Sequence, residues 1–356
     1  MAIQIPVSKL RFMGLLTALA ILALPGGIRA QDKAQDKKSS DSSDSVKFDS
    51  VDGVELRGTF YPAPKAKAPA ILMLHRYGGN REGWEKLAEE LQKKGFAVLT
   101  FDFRGHGEST KVAPETFWKF PANANHIRGG NKQDKKAIRQ SEFRADYLPM
   151  LVNDIVAAKH YLDKQNDAGL CNSSNLILIG AEEGAALGCL WIDEEWDRRP
   201  QIQGAFNRLI YDPQGKPFGE DVAAAIWLSP AAGLNRISAG TWLRHRPEIR
   251  EKTPMLFYAS MGDPAGVAAA NRLFDDLKKH NKAPDLTFAR TDVKAGKARG
   301  VELVNGKEAK VSEEITKYLE RIREKRGDNA WKMRDPGKSW FTKLVDLSNY
   351  GFQQLN

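Results

Sequence analysis

Apolar positions along the chain alternate between short continuous runs and longer stretches with helical spacing. Val46-Lys47-Phe48, an Asp52-Gly53 turn and Val54 to Tyr61 alternate with a period of two, which predicts an antiparallel pair of strands. Ala70 to Leu74 is a continuous apolar run, as expected of a strand covered on both faces, and Phe96 to Phe101, Asn175 to Ile179, Ala223 to Leu228, Met255 to Tyr258 and Leu286 to Ala289 predict five further strands. Between them, Trp84, Leu87, Ala88 and Leu91 fall on one helical face, with Asn80 as a cap and Gly95 as a stop. Leu148 to Leu162, Glu183 to Trp191, Gly266 to His280 and Ser312 to Arg326 predict four further helices. Strands alternating with helices define an α/β protein with a mainly parallel sheet of about eight strands and helices on both faces. Right-handed crossovers then gather the functional loops at the C-terminal ends of the strands.

The two ends of the chain break this pattern. Lys9 and Arg11 precede an apolar run from Phe12 to Leu24, and Pro25-Gly26-Gly27 follows, so residues 1–30 read as a signal peptide and predict export to a periplasmic or extracellular space. Its cleavage leaves no stable membrane span. Residues 31–45 are almost wholly polar and read as a disordered linker. From residue 327 to 356 helical periodicity is lost, and this tail could dock through Trp331, Trp340 and Phe341. One domain, 46–326, remains. The formal charge of +9 falls to +6 once Lys9, Arg11 and Arg29 are removed. There are no long Lys/Arg blocks interleaved with aromatics, so nucleic acid is not an expected partner. Two cysteines, Cys171 and Cys189, exclude a disulfide scaffold and read as buried thiols, with a single bridge as the alternative. No metal or cofactor is expected.

The loop residues that follow the strands resemble the α/β-hydrolase superfamily, in particular serine esterases and dienelactone hydrolases. The resemblance rests on His75-Arg76-Tyr77-Gly78-Gly79, Asp102 to Ser109, Ile179-Gly180-Ala181-Glu182-Glu183-Gly184 and Met261-Gly262-Asp263-Pro264. It implies a G-x-S-x-G nucleophile elbow, an acid after a late strand, a histidine in a final loop, and an oxyanion hole from the backbone N–H groups of Tyr77 and Glu183. His75, Arg104 and His106 match positions that hold loops. In this chain Glu182 stands at the nucleophile position, Asp263 at the acid position, and Arg299, with Lys297 as second match, at the base position.

Acyl transfer needs a hydroxyl nucleophile and a base able to take its proton near neutral pH, and arginine cannot take it. The expectation is a triad degraded to an ion pair. Glu182 would bind Arg299 in bidentate fashion, Asp263 would accept from the same guanidinium, and loss of Glu182 would cost about 3–5 kcal/mol if the site is buried. Relatives with Asp at the elbow attack alkyl carbon, so an active hydrolase with a displaced base such as His126 is the competing reading. Two insertions complete the picture. Residues 111–145 are rich in Lys and Arg, and read either as a cap for a small-molecule or anionic ligand or as a solvated loop. Residues 193–221 read as a second, partly ordered excursion.

Overall fold

The computed structural model describes residues 42–129, 132, 134–203, 209–212, 214–278, 285–306, 310–336 and 343–355. The expected signal segment, most of the expected linker, His280, Trp340 and Phe341 lie outside the described residues. Eight strands form the main path of one sheet: β1 (Asp44–Asp49), β2 (Val54–Tyr61), β3 (Pro69–Leu74), β4 (Ala97–Phe101), β5 (Asn172–Ala181), β6 (Val222–Leu228), β7 (Met255–Ser260) and β8 (Phe288–Val293). Their order in the sheet is β1-β2-β4-β3-β5-β6-β7-β8. β1 and β2 are antiparallel, β2 runs antiparallel to β4, and every pair from β4 to β8 is parallel. A two-residue strand, Lys111–Val112, pairs with β2.

Six main helices pack on the sheet: α1 (Glu85–Lys93), α2 (Val152–Asp167), α3 (Glu183–Asp197), α4 (Ala239–His245), α5 (Pro264–Lys278) and α6 (Val311–Arg326). Alternate residues of each strand serve opposite layers, as the two-residue period requires. Ala70, Leu72 and Leu74 join one core with α2, α3 and α4, whereas Ile71 and Met73 join a second core with α1 and α6. Both faces of β3, β5, β6 and β7 are buried, which accounts for their continuous apolar runs. β8, with only one partner, alternates between half-buried and exposed positions, and its strand begins two residues later than its apolar run.

Several expectations shift. β1 starts at Asp44, inside the segment read as linker. Asn80 does not cap the helix after it through its side chain. Its amide instead reaches Glu82, and a 3-10 turn, Arg81–Trp84, leads into α1. Pro149 places a 3-10 stretch, Ala145–Leu151, before α2, where the spacing predicted continuous helix. α3 runs on to Asp197, so the second excursion starts later than residue 193. The basic insertion is built into the fold. Helices Pro114–Phe117 and Pro121–His126 present Phe117 and Ala122 to the core, and Ile127, Ile138 and Phe143 are buried beside them. Cys171 and Cys189 are both buried and free.

The tail also belongs to the core. Val345, Leu347, Tyr350, Phe352 and Leu355 join the cluster under α2, α3 and α4. Upstream, Asn329 bridges Asn172, Ser174 and Asn175 of β5, and Trp331 donates to the Asn166 carbonyl while its ring lies under the Lys67 ammonium.

Candidate functional site

The parallel strands end on one edge, and five of the loops leaving that edge bring together the residues singled out from the sequence. Glu182, between β5 and α3, has φ 50° and ψ −115°, a conformation that non-glycine residues avoid at a cost of about 1–3 kcal/mol. Neighbours hold it there: its N–H donates to the Leu228 carbonyl at 3.0 Å, and its carbonyl accepts from Ala231 and Ala185. The flanking glycines are dictated by contact. A Cβ on Gly184 would meet the His75 carbonyl oxygen at 2.5 Å, and one on Gly180 would meet Ala185 Cα at 2.8 Å. The sharp turn of a nucleophile elbow is therefore intact, with a carboxylate at its tip.

Arg299 and Asp263 converge on that carboxylate. Arg299 Nη2 lies 3.4 Å from Glu182 Oε2, and Arg299 Nε lies 3.3 Å from Asp263 Oδ2. Arg76 Nε approaches Glu182 Oε1 at 3.7 Å from the opposite side. The expected bidentate fork is not formed. One guanidinium instead bridges two carboxylates, because Asp263 claims the Nε edge. Asp263 is fixed by its own helix, where its Oδ1 accepts from Gly266 N–H at 3.1 Å. The loop carrying Arg299 is pinned by Ser260 Oγ donating to the Gly296 carbonyl at 2.6 Å and by Glu302, whose carboxylate accepts the Arg299 N–H. Lys297 is exposed and takes no part.

The acids are more deeply covered than the cations. Glu182 and Asp263 are 14% and 3% exposed at their side chains, against 52% and 49% for Arg76 and Arg299. Burial pushes the Glu182 pKa up, Glu183 and Asp263 add to this, and Arg299 and Arg76 do not fully reverse it. Half-exposed guanidiniums are well hydrated, so the loss expected from the sequence is too large. Replacing Glu182 with Ala should shift stability by about 1 kcal/mol or less, read from thermal unfolding. A loss above 3 kcal/mol would show a far drier site.

The expected oxyanion hole is occupied from within. The Tyr77 N–H donates to Glu183 Oε2 at 3.2 Å, and the Tyr77 hydroxyl donates to the Gln140 carbonyl at 2.8 Å, tying the loop to the basic insertion. A negative charge already stands where an oxyanion would need a donor.

The displaced base fares no better. His126 Nε2 lies 3.0 Å from the Gln354 carbonyl, and Nδ1 lies 2.9 Å from Asp146 outside hydrogen-bond geometry, so the ring is held against the tail. His75 and His106 hold loops, as the resemblance implies. His75 Nε2 accepts from Phe103 N–H and Nδ1 faces the Arg76 carbonyl; His106 Nε2 accepts from Gly78 N–H and Nδ1 faces the Arg104 carbonyl.

Burial pulls the His75 pKa down to about 3, with His106 acting in the same direction. The unfolded chain takes up a proton near pH 6.5 that folded His75 refuses. The stability His75 contributes is present above that pH and is lost as pH falls from 6.5 towards 3, at about 1.4 kcal/mol per pH unit. Urea unfolding between pH 7 and pH 4 should show this slope, and His75→Gln should flatten it.

Sequence reading missed Ser229, immediately after β6. It has φ 45°, is fully buried, and its Oγ lacks a hydrogen-bond partner. Its only sequence signal is Ser-Pro at a strand end. Among the described residues no group of His, Cys, Asp and Glu is arranged to hold a metal ion, and no helix is long and apolar enough to cross a membrane.

Strand order, elbow and loop positions together define an α/β protein of the hydrolase type. Residues 69–162 match the family described as α/β hydrolase fold. A thiohydrolase of Aspergillus aculeatus is 43% identical over 67 residues, 18% of this chain and 20% of that protein. An abhydrolase domain-containing protein of Schizosaccharomyces pombe is 31% identical over 90 residues, 25% of this chain and 33% of that protein. These curated relatives are thus matched over a third of their length or less. The solved esterase Pf2001 of Pyrococcus furiosus superposes with a TM-score of 0.51 at 16% identity, covering 79% of this chain and 92% of that one. The chain has the α/β-hydrolase fold.

Proposed function

We propose that this is an exported α/β-hydrolase-fold protein without serine-hydrolase turnover, which acts by binding a ligand or partner at the former active-site face. The observation that carries the reading is the Arg299 guanidinium bridging Glu182 and Asp263, where a serine would otherwise give its proton to a histidine oriented by the acid. A guanidinium holds its proton throughout, and a carboxylate attacking an ester would form an anhydride more reactive than the substrate. Glu183 on the Tyr77 N–H supports the same reading, since charge developing on a substrate oxygen would meet repulsion there. The outward edges of Arg76 and Arg299, with the exposed cations Lys111, Lys136, Arg139 and Arg144 of the insertion, favour an anionic ligand.

The test is incubation of the purified protein with a fluorophosphonate probe and p-nitrophenyl butyrate. No serine should be labelled, and hydrolysis should not rise above the buffer rate. A labelled serine, or turnover abolished by Glu182→Gln, overturns the proposal in favour of a carboxylate-dependent hydrolase.

A further inference from the structure

Away from the elbow, α3, α4 and the tail line an open cavity of about 410 Å³, within the range of small-ligand sites. Asp193, which lines it, lies three turns along α3 from Glu182, roughly 16 Å at the helical rise per residue. Ile237, Trp242 and Tyr350 make its walls largely apolar, and Phe352 packs behind Trp242 with ring centroids 6.0 Å apart.

Its polar groups are arranged for a partner they do not have. His245, half exposed, turns Nδ1 to Asp193 Oδ2 at 2.8 Å, and Nε2 has no partner among the described contacts. Trp242 is 1% exposed, and its Nε1 lacks a hydrogen-bond acceptor. Asp193 Oδ1 has Arg246 Nε at 3.3 Å, outside hydrogen-bond geometry. Buried donors and acceptors without partners are few in folded proteins, and two of these belong to residues lining one cavity. The other cations nearby are spoken for: Arg244 pairs with Asp276 at 2.5 Å and Arg246 with Asp197 at 2.8 Å. Asp193 itself sits in the last turns of α3, where the helix dipole opposes a carboxylate. Burial pushes its pKa up to about 6 despite His245 and Arg246. A carboxylate in so unfavourable a place is well suited to orienting the imidazole.

We propose that this cavity is a second ligand site, taking an apolar molecule of aromatic character that carries a hydroxyl. With Nδ1–H donated to Asp193, neutral His245 presents Nε2 as a bare acceptor, and a hydroxyl can donate to it. A hydrocarbon offers that nitrogen no such donor. The ring would lie against Ile237, Trp242 and Tyr350. Asp193 is a positioning residue, acting through His245. The assignment does not depend on the elbow being inactive.

Titration calorimetry with 2-naphthol at pH 8 should give saturable one-site binding to the full chain. Naphthalene, which has the same body without the hydroxyl, should bind at least about five-fold more weakly, the scale of one net hydrogen bond. His245→Phe keeps a ring but removes the acceptor, and should bring the two probes within about two-fold of each other, with circular dichroism confirming that the variant is folded. Absence of saturable binding, equal affinity of the wild-type chain for both probes, or a probe difference that survives His245→Phe overturns the site. The wild-type comparison decides the matter even where the variant does not fold.

Discussion

Replacing Arg104 with methionine is expected to cost about 3–5 kcal/mol, a large fraction of the stability of an ordinary domain. Arg104 is fully buried and binds two fully buried carboxylates from separate elements. Its Nη1 donates to Asp52 Oδ2 at 2.6 Å, in the β1–β2 turn, and its Nε donates to Asp154 Oδ1 at 2.8 Å, in α2. The carboxylates are not equivalent. Against burial, Arg104, Ser50 and Asn123 hold Asp52 below its ordinary range, while burial lifts Asp154 to about 6 in spite of Arg104. Most of the loss should therefore come from stranding Asp52. Asp154, already near neutrality, can take up a proton, so the variant should lose less at pH 6 than at pH 8. Urea unfolding at both values checks this, and Arg104→Met combined with Asp52→Asn should recover part of the loss. A change below about 1 kcal/mol would mean that water reaches the pair.

Arg334→Met should cost about 3 kcal/mol and loosen the tail. The Arg334 side chain is 3% exposed and enters a buried acidic pair: it forms a close ion pair with Asp221, and its Nε lies 3.4 Å from Asp163. Its N–H donates to Asp167 at 2.8 Å, so backbone and side chain are both held by the body of the domain. Lys159 and Lys332 stay near the two carboxylates, which keeps the expected loss at the lower end of the range for broken buried pairs. Methionine retains much of the apolar stem but no charge. Limited proteolysis should then cut the variant C-terminal to residue 326 faster than the wild type. An unchanged unfolding midpoint together with an unchanged cleavage pattern would show that the tail is held by its apolar contacts alone.

What could be read from the sequence was whatever short-range constraint dictates. Gly180 and Gly184 flank an elbow because only glycine tolerates the contacts there, and that rule shows in the letters themselves. The continuous apolar runs of β3, β5 and β6 follow likewise from burial on both faces. The meeting of Glu182, Asp263 and Arg299 was also readable, since each follows a strand and parallel strands end together. Which guanidinium edge meets which carboxylate was not, because it depends on how Asp263 and Glu182 divide one side chain between them. Glu183 turning back onto Tyr77 left no trace in the pattern. The docking of the tail was hidden for another reason: Val345, Leu347, Tyr350, Phe352 and Leu355 are spaced by 3-10 turns and bends, which follow neither the helical nor the strand period. Asp193 and His245 lie 52 positions apart, and nothing in either neighbourhood predicts their contact.

The carboxylate of Glu183 on the Tyr77 N–H bears on the history of the fold. If an ancestor of this chain was a working esterase, serine at 182 and histidine at 299 would not bring the activity back. On the proposed reading a third change, at 183, would also be needed to free the Tyr77 N–H. Drift towards the present site is then easy in one direction and steep in the other, as in a ratchet. Libraries aimed at recovering a hydrolase from this scaffold should accordingly vary positions 182, 183 and 299 together.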